Sequence, residues 1–211
     1  MTTAERLKVL QEWLYKECCE GREMKCPNPD GIVADVTYEE PTVFIGFYPT
    51  RTDETGIKEN PISTVPSLLI MFGQGFAERM QEQRFDRYSG IHRPKELGGT
   101  IPIAILFATY DPGDRMERFE DVPSPEFLVE STEQGLFTLT NWMDDVKAKL
   151  LGTVCIPGTD MFLWKDTLSY SPLTESGQIV DKRPFYYAFI NCEFGLYSDR
   201  AINARTADLI D

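Results

Sequence analysis

A chain of 211 residues with 42% hydrophobic and 26% charged residues is long enough for one sizeable core, and its composition matches that of ordinary folded domains. Its 34 Asp and Glu against 21 Lys and Arg leave a formal charge of −13, which repels nucleic-acid phosphates and argues against sequence-specific DNA binding. Five cysteines, an odd number with Cys18 and Cys19 adjacent, argue against a disulfide framework, and no apolar run of about 18 residues is present to span a bilayer as a helix. The first residues carry Glu5, Glu12, Glu17 and Glu20 within an amphipathic pattern, so no secretory leader is expected.

Along the chain, Thr3 reads as an N-cap, and Leu7, Leu10, Leu14 and Cys18 recur at spacings of three and four with Trp13 alongside, predicting a helix that stops at Gly21. Pro27, Asn28 and Pro29 make Met24 to Asp30 a loop, and Ile32 to Thr37 reads as a short strand. Thr42 to Tyr48, β-branched and aromatic between Pro41 and Pro49, reads as a full strand. A polar stretch over 50–65 is expected to be a loop or arm, and the apolar run Ser67 to Phe72 ending at Gly73 is a buried strand. The mixed-charge, Gly-rich stretch 76–99, which holds the lone His92, reads as a second insertion.

Ile101 to Tyr110 is apolar on both faces and therefore reads as a central strand covered on both sides. It ends in the turn signal Asp111-Pro-Gly-Asp114 and an acidic stretch to Asp121. Ser131 to Gln134 spells a capping box ahead of a helix over Glu133 to Leu151, whose core stripe is Leu136, Leu139, Met143, Val146 and Leu150, with Asp144 and Asp145 facing water. Met161 to Tyr170 and Arg183 to Tyr197 are the last strands; in the second, Phe185, Tyr187 and Phe189 form one face and Tyr186, Ala188 and Ile190 the other. The chain reads as a single domain over 1–211, with 50–65 and 76–99 as loop or arm insertions and 198–211 as a C-terminal extension.

No catalytic cluster emerges from this pattern. His92 has no nucleophile-elbow sequence to serve, and Cys18, Cys19 and Cys26 lack a fourth ligand at zinc-finger spacing. Asp111, Asp114, Glu117, Glu120 and Asp121 do not match a calcium loop, and Gly73-Gln-Gly75 has neither a third glycine nor a phosphate-binding lysine. No catalytic, cofactor-binding or metal-binding residue is assigned, and no cofactor is expected.

The N-terminal helix, Pro66-Ser-Leu-Leu-Ile-Met-Phe-Gly73, the strand Ile101 to Gly113 ending Tyr-Asp-Pro-Gly, the helix Leu136 to Leu150 with Asp144-Asp145, and Arg183-Pro-Phe-Tyr-Tyr together give an order of elements that resembles the tail terminator and neck (head-tail joining) proteins of long-tailed bacteriophages and related contractile machines. The resemblance covers most of the chain by architecture. It implies an α+β fold, a mainly antiparallel sheet with helices packed on it, and no enzymatic activity. It also implies self-association into a hexameric ring that caps the tail tube, meets neck or connector proteins, and lets DNA pass without specific binding. The location implied is the virion, after synthesis in the bacterial host cytoplasm, with no membrane partner. Six copies would carry about −78 formal charges, six times −13, which suits a channel that DNA must slide through. The insertions at 50–65 and 76–99 depart from the family pattern and bear on the station in the particle: a tail tube or connector component is the alternative. An enzyme with an unrecognised site, or a monomeric binding module, are the competing classes.

Overall fold

The computed structural model describes residues 1–27, 36–49, 51–52, 58–59, 64–73, 97–112, 114–115, 129–130, 133–172, 174–175, 178–179 and 183–197. In chain order the elements are helix α1 (Thr3–Leu14), continued by a π-helical turn (Tyr15–Cys19), then strands β1 (Met24–Pro27), β2 (Val36–Glu39), β3 (Thr42–Ile45), β4 (Arg51–Thr52), β5 (Lys58–Glu59), β6 (Ser67–Phe72), β7 (Leu97–Tyr110), β8 (Asp114–Arg115) and β9 (Val129–Glu130). Helix α2 (Glu133–Gly152) follows, then β10 (Met161–Pro172), β11 (Thr174–Glu175), β12 (Gln178–Ile179) and β13 (Phe185–Tyr197).

The architecture is α+β, as the sequence predicts. A five-stranded sheet runs in the order β10-β13-β7-β6-β3, antiparallel throughout except for the β3–β6 pair at one edge. The long strand β7 lies at the centre, pairing Ile105 with Ile190 on one side and with Ile70 on the other. Its apolar residues at alternate positions supply both faces, which is why it takes the middle.

Both helices pack on the same face of this sheet. Leu10, Leu14, Leu139, Trp142, Val146 and Leu150 meet Leu68, Ile70, Ile103, Ile105, Phe107, Ile190 and Phe194 in one core, which gives two layers. Trp142 is fully buried, stands edge-on to Phe107 at 5.3 Å between ring centroids, and donates its indole N–H to the Cys18 carbonyl at 3.1 Å. The π-helical turn places Cys18 and Cys19 both in the core.

Several local expectations are corrected. The cap of α1 is Thr2, not Thr3: its hydroxyl accepts from the Glu5 N–H and the Glu5 carboxylate accepts from its N–H, a complete capping box. Met24 to Pro27, expected to be loop, pairs with β2 as a two-stranded ribbon, an edge setting in which Pro27 at the strand end removes no needed donor. The strand expected over Thr42 to Tyr48 stops at Ile45 because Gly46 takes a φ of 81° and turns the chain. Leu97 to Gly99, placed in an insertion, belong to β7.

In α2 the core positions are Leu139, Trp142, Met143, Val146 and Leu150, whereas Leu136 is exposed on the first turns. Ser131 and the rest of 74–96, 116–128 and 198–211, with His92 among them, lie outside the described residues.

At the opposite end of the helix layer, Arg6 of α1 clasps Asp160, just before β10, through Nε at 2.7 Å and Nη2 at 2.5 Å. The hydrogen bonds from Arg6 hold the Asp160 carboxyl below its ordinary range. A depressed carboxyl contributes stability that is complete above its unfolded value, near 3.8, and is lost as pH falls through the folded value. Asp160→Asn should therefore cost about 1–3 kcal/mol near neutrality, with the gap to wild type closing as pH drops below about 4 in urea titrations. A gap that stays constant down to pH 2 would contradict the ion-pair account.

Candidate functional site

Among the described residues, the groups singled out for chemistry that can be placed each have a structural setting. Asp111 at the end of β7 is buried, its side chain 4% exposed. Its carboxylate accepts from Lys25 Nζ of β1 at 2.8 Å, and its backbone N–H donates to the Pro184 carbonyl at 2.9 Å. Gly135 in the first turn of α2 abuts its Cβ, so Asp111 fastens β1, the start of β13 and the start of α2 at one end of the sheet. A carboxylate near a helix N-terminus and paired with a lysine is a structural tie.

Of the acidic stretch and the glycine pair, the described residues include Asp111, Asp114 and Gly73. Asp114 belongs to the short ribbon β8–β9, while Glu117, Glu120 and Asp121 lie outside the described residues. Gly73 packs against Pro102, where a Cβ would come within 3.2 Å, so its glycine answers to strand packing. Burial pushes the thiols of Cys18, Cys19 and Cys192 up to about 12, far from the thiolate a nucleophile needs. Among the described residues no three His, Cys, Asp or Glu side chains converge as metal ligands, and no helix is long and apolar enough to cross a membrane.

What the described surface does display is aromatic and aliphatic groups on both flanks of the sheet. On the β3 flank, Gln11 Nε2 caps the outer edge by donating to the Val43 carbonyl at 2.6 Å. At the start of the π-helical turn that continues α1, Tyr15 is partly exposed and donates its hydroxyl to Glu40 at 2.9 Å, which raises its own pKa; the other oxygen of Glu40 accepts from the Gly21 N–H. At the end of β3, Gly46 donates to the Ile70 carbonyl at 2.8 Å and its turn leaves the Phe47 ring 85% exposed. Phe47 is not legible from the sequence, where Thr42 to Tyr48 reads as one strand; Gly46 within that run is the signal that the strand ends early.

The β10 flank is built differently. The β10–β13 ladder breaks between Trp164 and Ser169, and there the Thr167 hydroxyl stands in for the backbone: it donates to the Trp164 carbonyl at 2.6 Å and accepts from the Glu193 N–H at 2.9 Å. Lys165 and Asp166 are exposed at this irregularity. Further along, Tyr170 is half exposed, with Lys147 Nζ of α2 lying 4.2 Å from its ring centroid. Lys147 also reaches Asp144 at 3.0 Å.

The sheet face opposite the helices is apolar but only partly covered. Phe44, Met71, Ala104, Leu106, Tyr187 and Phe189 are half-buried there, while Val65, Ala108 and Tyr110 form a small second core with Phe185 and Tyr187. The central strand is thus less evenly buried than its sequence predicts. At the edge of this face Gly195 lies under Phe162 and Trp164, whose rings occupy the space a Cβ would take.

In comparisons with known proteins the chain matches no family model, no curated sequence and no solved structure.

Proposed function

We propose that the chain is a structural protein of a phage or phage-like particle, a ring-forming tail terminator or neck subunit that caps the tail tube and joins it to the head. The observation that carries this reading is the exposure of large apolar groups at both edges of one sheet, Phe47 after β3 with Tyr15 nearby, and Tyr170 on β10. A monomeric protein exposes scattered hydrophobics, but a subunit that repeats around a ring needs two different adhesive flanks. The formal charge of −13 supports the same reading, since a ring of acidic subunits lets DNA slide through without being held.

The functional contacts under this reading are protein–protein contacts, with neighbouring copies, the tail tube and the connector. No catalytic residue is assigned, because Asp111, the buried thiols and Gly73 all have structural partners or packing roles. Light scattering on the purified chain over a range of concentrations tests the proposal: a discrete species near six times 24.1 kDa is expected. A strict monomer at every concentration counts against it and favours a monomeric binding module.

A further inference from the structure

The chain contains a single Asp-Pro bond, Asp111–Pro112, and it lies where β7 leaves the sheet. We infer, independently of the ring reading, that this bond is a latent self-cleavage site, held intact in the folded chain by the tie between Asp111 and Lys25.

Two properties let an Asp-Pro bond be broken by its own side chain. The proline nitrogen belongs to a tertiary amide and carries no N–H, which makes it more basic than an ordinary peptide nitrogen and a better leaving group once protonated. The aspartic carboxyl can close a five-membered ring on its own carbonyl carbon, so the attack is intramolecular. In the step, a carboxyl oxygen of Asp111 bonds to that carbon, the C–N bond to Pro112 breaks, and the carboxyl proton passes to the proline nitrogen. Water then opens the cyclic anhydride and restores an aspartic acid, now the C-terminus of the first fragment. The sum is hydrolysis of one peptide bond by one water.

The fold opposes each part of this route. Lys25 Nζ engages Asp111 Oδ1 at 2.8 Å, a contact that must break before the carboxyl can turn onto its own carbonyl. The Asp111 N–H is bound to the Pro184 carbonyl at 2.9 Å, and its Cβ abuts Gly135, which restrains backbone and side chain together. Asp111 and Pro112 are both buried, which keeps away the water that opens the anhydride. Of these restraints, the lysine is the one a substitution removes most simply, being 30% exposed where the carboxylate is 4% exposed. Its loss leaves a buried charge without its counter-ion, so the end of β7 opens more often.

A break here would leave the fold standing. Fragment 1–111 holds α1 and β1 to β7, fragment 112–211 holds α2, β10 and β13, and the β7–β13 ladder from Tyr110–Phe185 to Leu97–Tyr197 joins them. The nicked protein therefore keeps its native mass and separates only when denatured.

The test is warm incubation of the full-length protein at about pH 4, where an ordinary aspartic carboxyl is part protonated, followed by denaturing gels and mass spectrometry. Circular dichroism at the same pH identifies the folded samples. Wild type in guanidinium chloride sets the rate for an unprotected bond and should yield fragments 1–111 and 112–211. Folded wild type and Lys25→Arg, which keeps the cation, should stay whole over the same time. Folded Lys25→Met should split at least about tenfold faster than wild type, and adding Pro112→Ala should stop it. Lys25→Gln replaces the methionine variant where that one does not fold. Folded wild type that splits as fast as the denatured chain overturns the protection, with no variant needed. A folded Lys25→Met or Lys25→Gln protein no faster than wild type overturns the tie as its cause. Fragments that persist after Pro112→Ala overturn the site.

Discussion

Trp142→Ala is expected to lower the free energy of unfolding by about 4–5 kcal/mol, a large part of the 5–15 kcal/mol that a domain of this kind possesses. Three losses coincide at this side chain. The indole is fully buried between α2 and the sheet, its edge-on contact with Phe107 disappears, and the Cys18 carbonyl is left in the core without its donor. Trp142→Phe separates these terms: it keeps most of the volume and the aromatic contact, and should cost about 1–2 kcal/mol. Urea midpoints of the two variants measure the difference. If alanine costs no more than about 1 kcal/mol, α2 does not dock on Phe107 and the two-layer account fails.

Gly135→Ala should also destabilise, against the direction that helix propensity gives. In an ordinary helix the change would add about 0.5–1 kcal/mol of stability. Here the new Cβ would fall 2.3 Å and 2.5 Å from atoms of the Tyr186 ring and 2.9 Å from the Asp111 Cβ. The ring can swing, but Asp111 is pinned by Lys25 and by the Pro184 carbonyl, so α2 must shift instead. The expected net loss is about 1–3 kcal/mol, the usual range for overpacking. In a Tyr186→Ala background the penalty should shrink, and a double-mutant cycle reads the coupling between the two positions. A Gly135→Ala protein as stable as wild type would mean that α2 does not approach β13 so closely.

The parts of the fold legible in the sequence are those with strong local periodicity. The spacing of Leu139, Met143, Val146 and Leu150 marks the buried stripe of α2, and the unbroken apolar run of Ile101 to Tyr110 marks the centre of the sheet. Trp142 was not placed in the core because a helix packed on a sheet buries a face broader than one stripe. The short strand expected over Ile32 to Thr37 overlaps β2 at Val36 and Thr37, whereas β1 is not legible because Pro27 reads as a loop signal and pairing between separate segments leaves no trace in a window of residues.

The candidate flanks were less legible still. Phe47 and Phe107 are the same residue type in strand-like surroundings, yet one is 85% exposed and the other fully buried. Gly46 and the position of β3 at the sheet edge make that difference, and only the tertiary arrangement supplies the second. Tyr170 likewise becomes a neighbour of Lys147 only when α2 lies beside the last part of β10.

The place of β7 between β6 and β13 bears on how the chain is made. Its first partner, β6, precedes it and is ready when β7 leaves the ribosome, but β13 begins 75 residues after β7 ends, from 110 to 185. At roughly 5–20 residues per second, one hydrogen-bonding edge of the most apolar strand waits about 4–15 s during synthesis for the segment that closes it. During that interval nascent copies on neighbouring ribosomes offer each other the same open edge, so expression at lower temperature or with a chaperone present favours soluble chains over aggregates.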